Sequence, residues 1–225
     1  MRGFFRIAFL VFRKDFREEL RRKENIAVSV FFAVLSLVLF YFSLDPTQID
    51  LTTAGAGFLW LIILFAGSLF MGACFRKETE TGTLHALLLA PADRGAVYLG
   101  KYLVNLLFLL FLEGLLLFVA FILLDFRAGK GLWPLCGVWF LVSVGYAGVG
   151  TLLSALITQV RGGEILYPIL LFPILIPLVI AAGTLTQAAL AGSNVWQSQW
   201  LRLVGLFDII FITASLFLFE YAVEE

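Results

Sequence analysis

The chain has 225 residues, 61% of them hydrophobic, and a mean hydropathy of +1.00. A soluble domain of this size could not bury so much apolar surface, so the composition excludes an ordinary water-soluble globule and indicates a bilayer as solvent. Sixteen basic and sixteen acidic residues cancel, and the balance gives no reason to expect a nucleic-acid partner.

The charge is uneven along the chain. Arg2, Arg6, Arg13, Lys14, Arg17, Arg21, Arg22 and Lys23 fall directly ahead of a long apolar run, and juxtamembrane bases of this kind set the N-terminus in the cytoplasm. Within the same stretch Phe5, Phe9, Phe12, Phe16 and Leu20 recur at three- or four-residue spacing, with Arg6, Arg13, Arg17 and Arg21 on the opposing side. The spacing predicts an amphipathic helix over residues 1–25 that lies in the interface, rings toward the acyl chains and guanidinium groups toward phosphates. Packing of that helix against a soluble partner fits the same pattern. The apolar run that follows exceeds a usual signal-peptide core and has no small-residue cleavage site after it, so residues 26–42 are expected to stay as a span.

Apolar stretches long enough to cross about 30 Å of hydrocarbon occur at residues 26–43, 54–74, 98–124, 133–157, 165–187 and 203–222. The predicted fold is therefore all-α: a polytopic domain over residues 26–225 with six transmembrane helices and both termini in the cytoplasm. Under this topology the outer segments hold only Arg127, Lys130 and Arg202 among the bases, as the charge rule requires. Trp60, Trp133, Trp196 and Trp200 lie near proposed span ends, where an amphipathic ring suits the headgroup region.

Between the second and third spans, residues 75–97 form a cytoplasmic segment. Thr83 suits the cap of a short helix carrying Leu84, Leu87 and Leu88 on one side and stopped near Pro91. The apolar side is shaped to dock in a groove on a soluble subunit, with Arg76, Lys77, Glu78, Glu80 and His85 as polar edges; folding back on the membrane domain is the alternative. Residues 95–102 nearly imitate a phosphate-binding loop, but Tyr102 stands where a Ser or Thr would reach magnesium and no strand precedes it. Lys101 is accordingly read as a cytoplasmic anchor at the start of the third span, and nucleotide binding is not expected of this chain.

His85 is the sole histidine, and one imidazole in a loop is not a heme or metal centre. Cys74 and Cys136 lack a CxxC or CxxCH arrangement and read as small apolar side chains. No self-contained redox, cofactor or catalytic site is expected. Glu113, in the middle of the third span, must face protein or a water-filled cavity or be neutral, because an ionised carboxylate is costly in lipid. Asn105, eight residues away, can share its helix face; the two mark an interhelical contact or a transport path. Asp208 lies closer to an interface and is less diagnostic.

In the fourth span Gly145, Gly148, Gly150 and Ser154 suit close approach of helix backbones. In the fifth, Pro168, Pro173 and Pro177 each remove an amide donor, which argues against a uniform rod. Residues 188–202 are too polar for another crossing and, with Val195, Trp196 and Trp200, fit an outer interfacial or re-entrant segment.

Taken together, the basic N-terminal helix, the six spans, Gly82-Thr83-Leu84, Leu87-Leu88-Leu89, Pro91, Gly100-Lys101, Arg161-Gly162-Gly163 and the 173–177 stretch resemble the heme exporter protein B (CcmB) family over nearly the whole chain. The resemblance implies an ABC-2-like permease fold in the bacterial cytoplasmic (inner) membrane and a noncatalytic role in cytochrome c biogenesis. It also implies a second copy of this chain, two ATPase subunits that hold the ATP, a heme-handling membrane protein and a small accessory subunit. Residues 75–91 would be the coupling element, with Glu78, Leu84, His85, Leu87 and Leu88 as contacts and Arg161 joining the same cytoplasmic interface. Heme would be handled by the complex, as export of heme or as release of a heme-loaded chaperone. Two other classes fit the bare architecture: a permease for a different lipid or small molecule, and a structural membrane scaffold.

Overall fold

The structure is a computed structural model that describes residues 2–43, 51–75, 94–124, 131–160 and 162–222. Seven long helices account for nearly all of them: α1 Arg2–Arg22, α2 Glu24–Ser43, α3 Leu51–Met71, α4 Arg94–Leu123, α5 Leu132–Leu156, α6 Gly163–Leu190 and α7 Gln199–Ala222. Among the described residues, helices α2 to α7 are the six that are long and apolar enough to cross a membrane.

The bundle is built outward from α5, which touches α3, α4, α6 and α7. Its Gly145, Ala147, Gly148, Gly150, Thr151, Ser154 and Ala155 are all buried, because small side chains let neighbouring backbones approach where lipid supplies no hydrophobic incentive for association. The outward surface is the reverse: Phe31, Leu35, Leu39 and Phe42 of α2, Ile169, Ile176 and Ile180 of α6, and Leu206, Ile209, Ile210 and Phe217 of α7 are exposed. Large apolar side chains outside and small or polar ones inside are what a bilayer solvent selects.

Helices consecutive in the chain from α3 to α7 alternate in direction, and contacts at the two ends show it. At one end Val11 of α1, Phe75 just past α3, Val97 and Tyr98 of α4, Leu152 and Ala155 of α5 and Phe219 of α7 form one apolar cluster. At the other end the Gln187 side chain, late in α6, donates to the Thr53 carbonyl early in α3 at 2.9 Å, and the Trp196 ring lies over Gly137 early in α5. Between α6 and α7 the chain makes a short 3-10 turn, Val195–Gln197, capped by Asn194, whose side chain accepts from the Trp196 amide at 3.1 Å. Val195 is buried there, whereas Trp196 is exposed.

Helix α1 carries a third stripe besides the aromatic and basic ones. Ala8, Val11 and Asp15 are buried against α4, leaving Phe5, Phe9, Phe16 and Leu20 exposed. The approach depends on Gly100: a Cβ there would lie 2.7 Å from the Val11 Cβ and 2.8 Å from the Ala8 carbonyl oxygen. A single residue, Lys23, joins α1 to α2 with φ 58°, a left-handed conformation that costs a non-glycine residue about 1–2 kcal/mol.

Two sequence expectations change. Lys101, expected as a cytoplasmic anchor at the start of its span, is buried inside the protein: α4 begins at Arg94 rather than near residue 98 and carries Lys101 two turns into the helix, where it is 1% exposed. Trp60 is not an interfacial ring; α3 begins at Leu51, and Trp60 lies inside the bundle, 1% exposed. In both cases a polar partner from a distant helix, invisible in the local sequence, makes burial tolerable. The three prolines of α6 lie inside one continuous helix. Its start needs both glycines of the 162–163 pair: Gly162 has φ 79°, and a Cβ on Gly163 would meet the Ile157 carbonyl oxygen.

Replacing Gly100 with Ala is expected to cost about 1–3 kcal/mol by forcing α1 off α4. Gly114→Ala, with nothing within 4 Å of the new Cβ, should be neutral or stabilising by up to about 1 kcal/mol. Thermal unfolding of the two variants in detergent checks this, and equal shifts would contradict the close contact.

Candidate functional site

Of the residues expected to meet an ATPase, Glu78, Leu84, His85, Leu87 and Leu88 lie within 76–93, and these, together with Arg161, lie outside the described residues. What the structure does place are the roots of that segment, Phe75 after α3 and Arg94 at the start of α4. Both roots belong to the end of the bundle where α1, α5 and α7 also converge.

Lys101 is the polar centre of this corner. Its ammonium lies 3.1 Å from Asp15 Oδ2 of α1, donates to the Cys74 carbonyl at 3.0 Å and stands 4.5 Å from the centroid of the Phe75 ring. An ammonium has three donors and no acceptor capacity, and here an acid, a carbonyl and a ring face take the place of water. Asp15 is shared, since Lys14 Nζ lies 2.9 Å from its other oxygen. One turn further along α1, burial pushes the Glu19 carboxyl above its ordinary value, opposed by a hydrogen bond from the Asn25 side chain.

The intramembrane polar pair predicted from sequence is present as two separate contacts on one face of α4. The Asn105 side-chain amide donates to Thr151 Oγ1 of α5 at 2.8 Å, and its nitrogen is 3.5 Å from Cys74 Sγ. Glu113, 2% exposed, accepts a short hydrogen bond from the Ser143 hydroxyl of α5. The two side chains share a helix face and the same neighbour, α5, but no bond links them.

Three further polar arrangements were not anticipated from the sequence. Asp208 of α7 is 6% exposed and sits against Gly145, where any Cβ would strike its Oδ1; its closeness to the end of a hydrophobic stretch concealed this. Tyr98 donates to the Gly148 carbonyl at 3.1 Å and Tyr167 to the Gly150 carbonyl at 3.2 Å. The glycines thus do more than allow packing, because absence of Cβ uncovers α5 carbonyls to phenols on α4 and α6. Finally, the indoles of Trp60 on α3 and Trp139 on α5 both donate to Thr186 Oγ1 of α6, at 2.9 and 3.0 Å. The two rings meet edge to face with centroids 5.3 Å apart, pinning three helices at one hydroxyl.

These features define an all-α polytopic membrane protein of six spans, of the ABC-2-like permease class. The chain belongs to the CcmB family, whose model, described as CcmB protein, matches residues 6–225. It is similar to heme exporter protein B of Pseudomonas aeruginosa, 27% identical over 188 residues that cover 81% of this chain and 82% of that protein. It is also similar to heme exporter protein B of Haemophilus influenzae, at 25% identity over 211 residues and 92% of each chain. The protein of the same name from Rhodobacter capsulatus is 27% identical over 183 residues, covering 80% of this chain and 82% of that one.

Thr186→Val should orphan two buried indole donors and cost about 1–3 kcal/mol for each. Tyr98→Phe removes one bond and its donor together and should cost only about 0.6 kcal/mol. Melting temperatures of the two variants in the same detergent test the ranking; a Thr186→Val shift no larger than that of Tyr98→Phe would show that the shared hydroxyl is not a structural pin.

Proposed function

We propose that this CcmB-family chain, the membrane subunit of a cytochrome c maturation ABC system, transmits the work of ATP hydrolysis by a separate subunit to heme export or to release of a heme-loaded chaperone. The observation that carries the reading is the family match over residues 6–225, which spans the basic helix, all six spans and the segment between α3 and α4.

In this reading residues 75–91 receive the push of the ATPase, with Glu78, Leu84, His85, Leu87 and Leu88 as contacts and Arg161 beside them. The convergence of α1, α5 and α7 on the roots of that segment supports it: a displacement entering there bears on several spans at once. Helices with two discrete packings convert such a displacement into alternating arrangements. The chain acts in the bacterial inner membrane with both termini in the cytoplasm, the basic N-terminal stretch being the support for that orientation. Its assembly holds a second copy of the chain, ATPase subunits, a heme-handling membrane protein and a small accessory subunit. ATP binds to the partner, heme is cargo of the complex, and this chain performs no chemistry on either. Glu113 and Asn105 serve as interhelical contacts whose position next to α5 lets them follow its movement.

Glu78→Ala, Leu84→Ala and Leu88→Ala are each expected to lower coupled turnover about tenfold, the effect of losing one contact at the centre of a docking site, with the chain still inserted. Purification with native partners in mild detergent, followed by mass determination, heme analysis and turnover assays, makes the test. Recovery with an ATPase and a heme-handling membrane protein is the expected composition; full coupled turnover in all three variants would remove the proposed contact.

A further inference from the structure

A buried lysine is costly unless its charge is paired and its donors are used. Lys101 has its charge paired and a donor hydrogen-bonded by groups drawn from separate places in the chain: Asp15 of α1 at 3.1 Å, the Cys74 carbonyl beyond α3 at 3.0 Å, and the face of Phe75 at 4.5 Å. The lysine itself belongs to α4. Cys74 and Phe75 are the last described residues before the segment that enters α4, so one side chain ties the exit of α3 to the entrance of α4 and both to the amphipathic helix. Gly100 next to it brings α1 close enough for Asp15 to reach, and Val11, Val97, Tyr98 and Phe219 seal the corner with apolar contacts.

We propose that Lys101 is a positioning residue for coupling: by holding Asp15, the Cys74 carbonyl and the Phe75 ring together, it makes α1 and the roots of residues 76–93 move as one body. This rests on the reading that residues 75–91 receive the ATPase. Without Lys101 the contact of α1 with α4 loses the Asp15 ion pair, and the Cys74 carbonyl loses the ammonium donor at 3.0 Å. A push at the segment would then be absorbed by local bending at the corner instead of reaching α1 and the spans. The amphipathic helix, with Phe5, Phe9 and Phe16 exposed, is thereby a moving part of the machine and not only an attachment to the interface.

The test uses the whole assembly in lipid vesicles and reads product released per ATP hydrolysed, which a loss of folding or assembly alone leaves unchanged. Lys101→Met is expected to lower this ratio at least about tenfold. On a Cys136→Ser background it should also speed maleimide labelling of Cys74. Lys101→Arg, which keeps the charge and donors, should return both readouts toward those of the unaltered chain. An assembled Lys101→Met complex with an unaltered ratio overturns the proposal. Should that variant not assemble, Asp15→Asn is measured in its place with the same expectations, and failure of both to assemble also overturns it by showing the pair to be structural. Leu84→Ala, run in parallel, separates the two ideas: if it uncouples and Lys101→Met does not, the proposal fails and the docking reading stands, whereas normal coupling in both removes the docking reading itself.

Discussion

The constraint on which this structure depends is that hydrocarbon offers no hydrogen bonds. Every polar side chain at membrane depth must find its partner within the protein, and here those partners are concentrated on one helix. Ser143 donates to Glu113, Thr151 accepts from Asn105, and the carbonyls of Gly148 and Gly150 accept from phenols. Helix α5 is central because it presents small residues and uncovered carbonyls to all its neighbours, while those neighbours turn their large apolar side chains to the lipid. The bundle is thus held by a polar seam and close packing, not by the exclusion of water that organises a soluble core.

The same constraint explains the corner between α1, α3 and α4. A lysine two turns into a span is tolerated only with a carboxylate and a carbonyl at hand, and both come from outside its own helix. The cost of burying the pair makes it weak evidence for stability. Its geometry is more telling, since one ammonium joins three stretches of chain, α1, the exit of α3 and α4. Under the coupling proposed above, fixing such a joint has a mechanical use that net stabilisation alone does not supply.

The arrangement also bears on how the chain takes part in heme handling. Buried carboxyl groups Glu113 and Asp208 both lie against α5, within the bundle rather than on its apolar outside. They would feel any shift of α5 against α4 or α7. In the coupling proposed above, a movement entering at the corner would bear on α5, which hydrogen-bonds to α3, α4, α6 and α7, so the bundle would shift between discrete packings rather than slide continuously.

Much of this was legible beforehand. Length and hydropathy gave six spans, the eight leading bases implied an orientation, and the glycines of the fourth span marked the packing helix, because each of these properties is local or periodic. The contact sites in residues 76–93 were legible only as an amphipathic pattern, and the roles assigned there rest on that pattern and the family. Lys101 was read as a cytoplasmic anchor, Trp60 as a ring near a span end and Asp208 as less diagnostic, each for the same reason: the residue it packs against lies far away in sequence, Asp15, Thr186 and Gly145 respectively. By itself the sequence determined that the chain spans a membrane, how often, and which family it belongs to, since apolar run length, charge bias and motif order are properties of the chain. Only the tertiary structure decided which polar groups are buried and what they hold together, since in a solvent without hydrogen bonds that depends on which helices become neighbours.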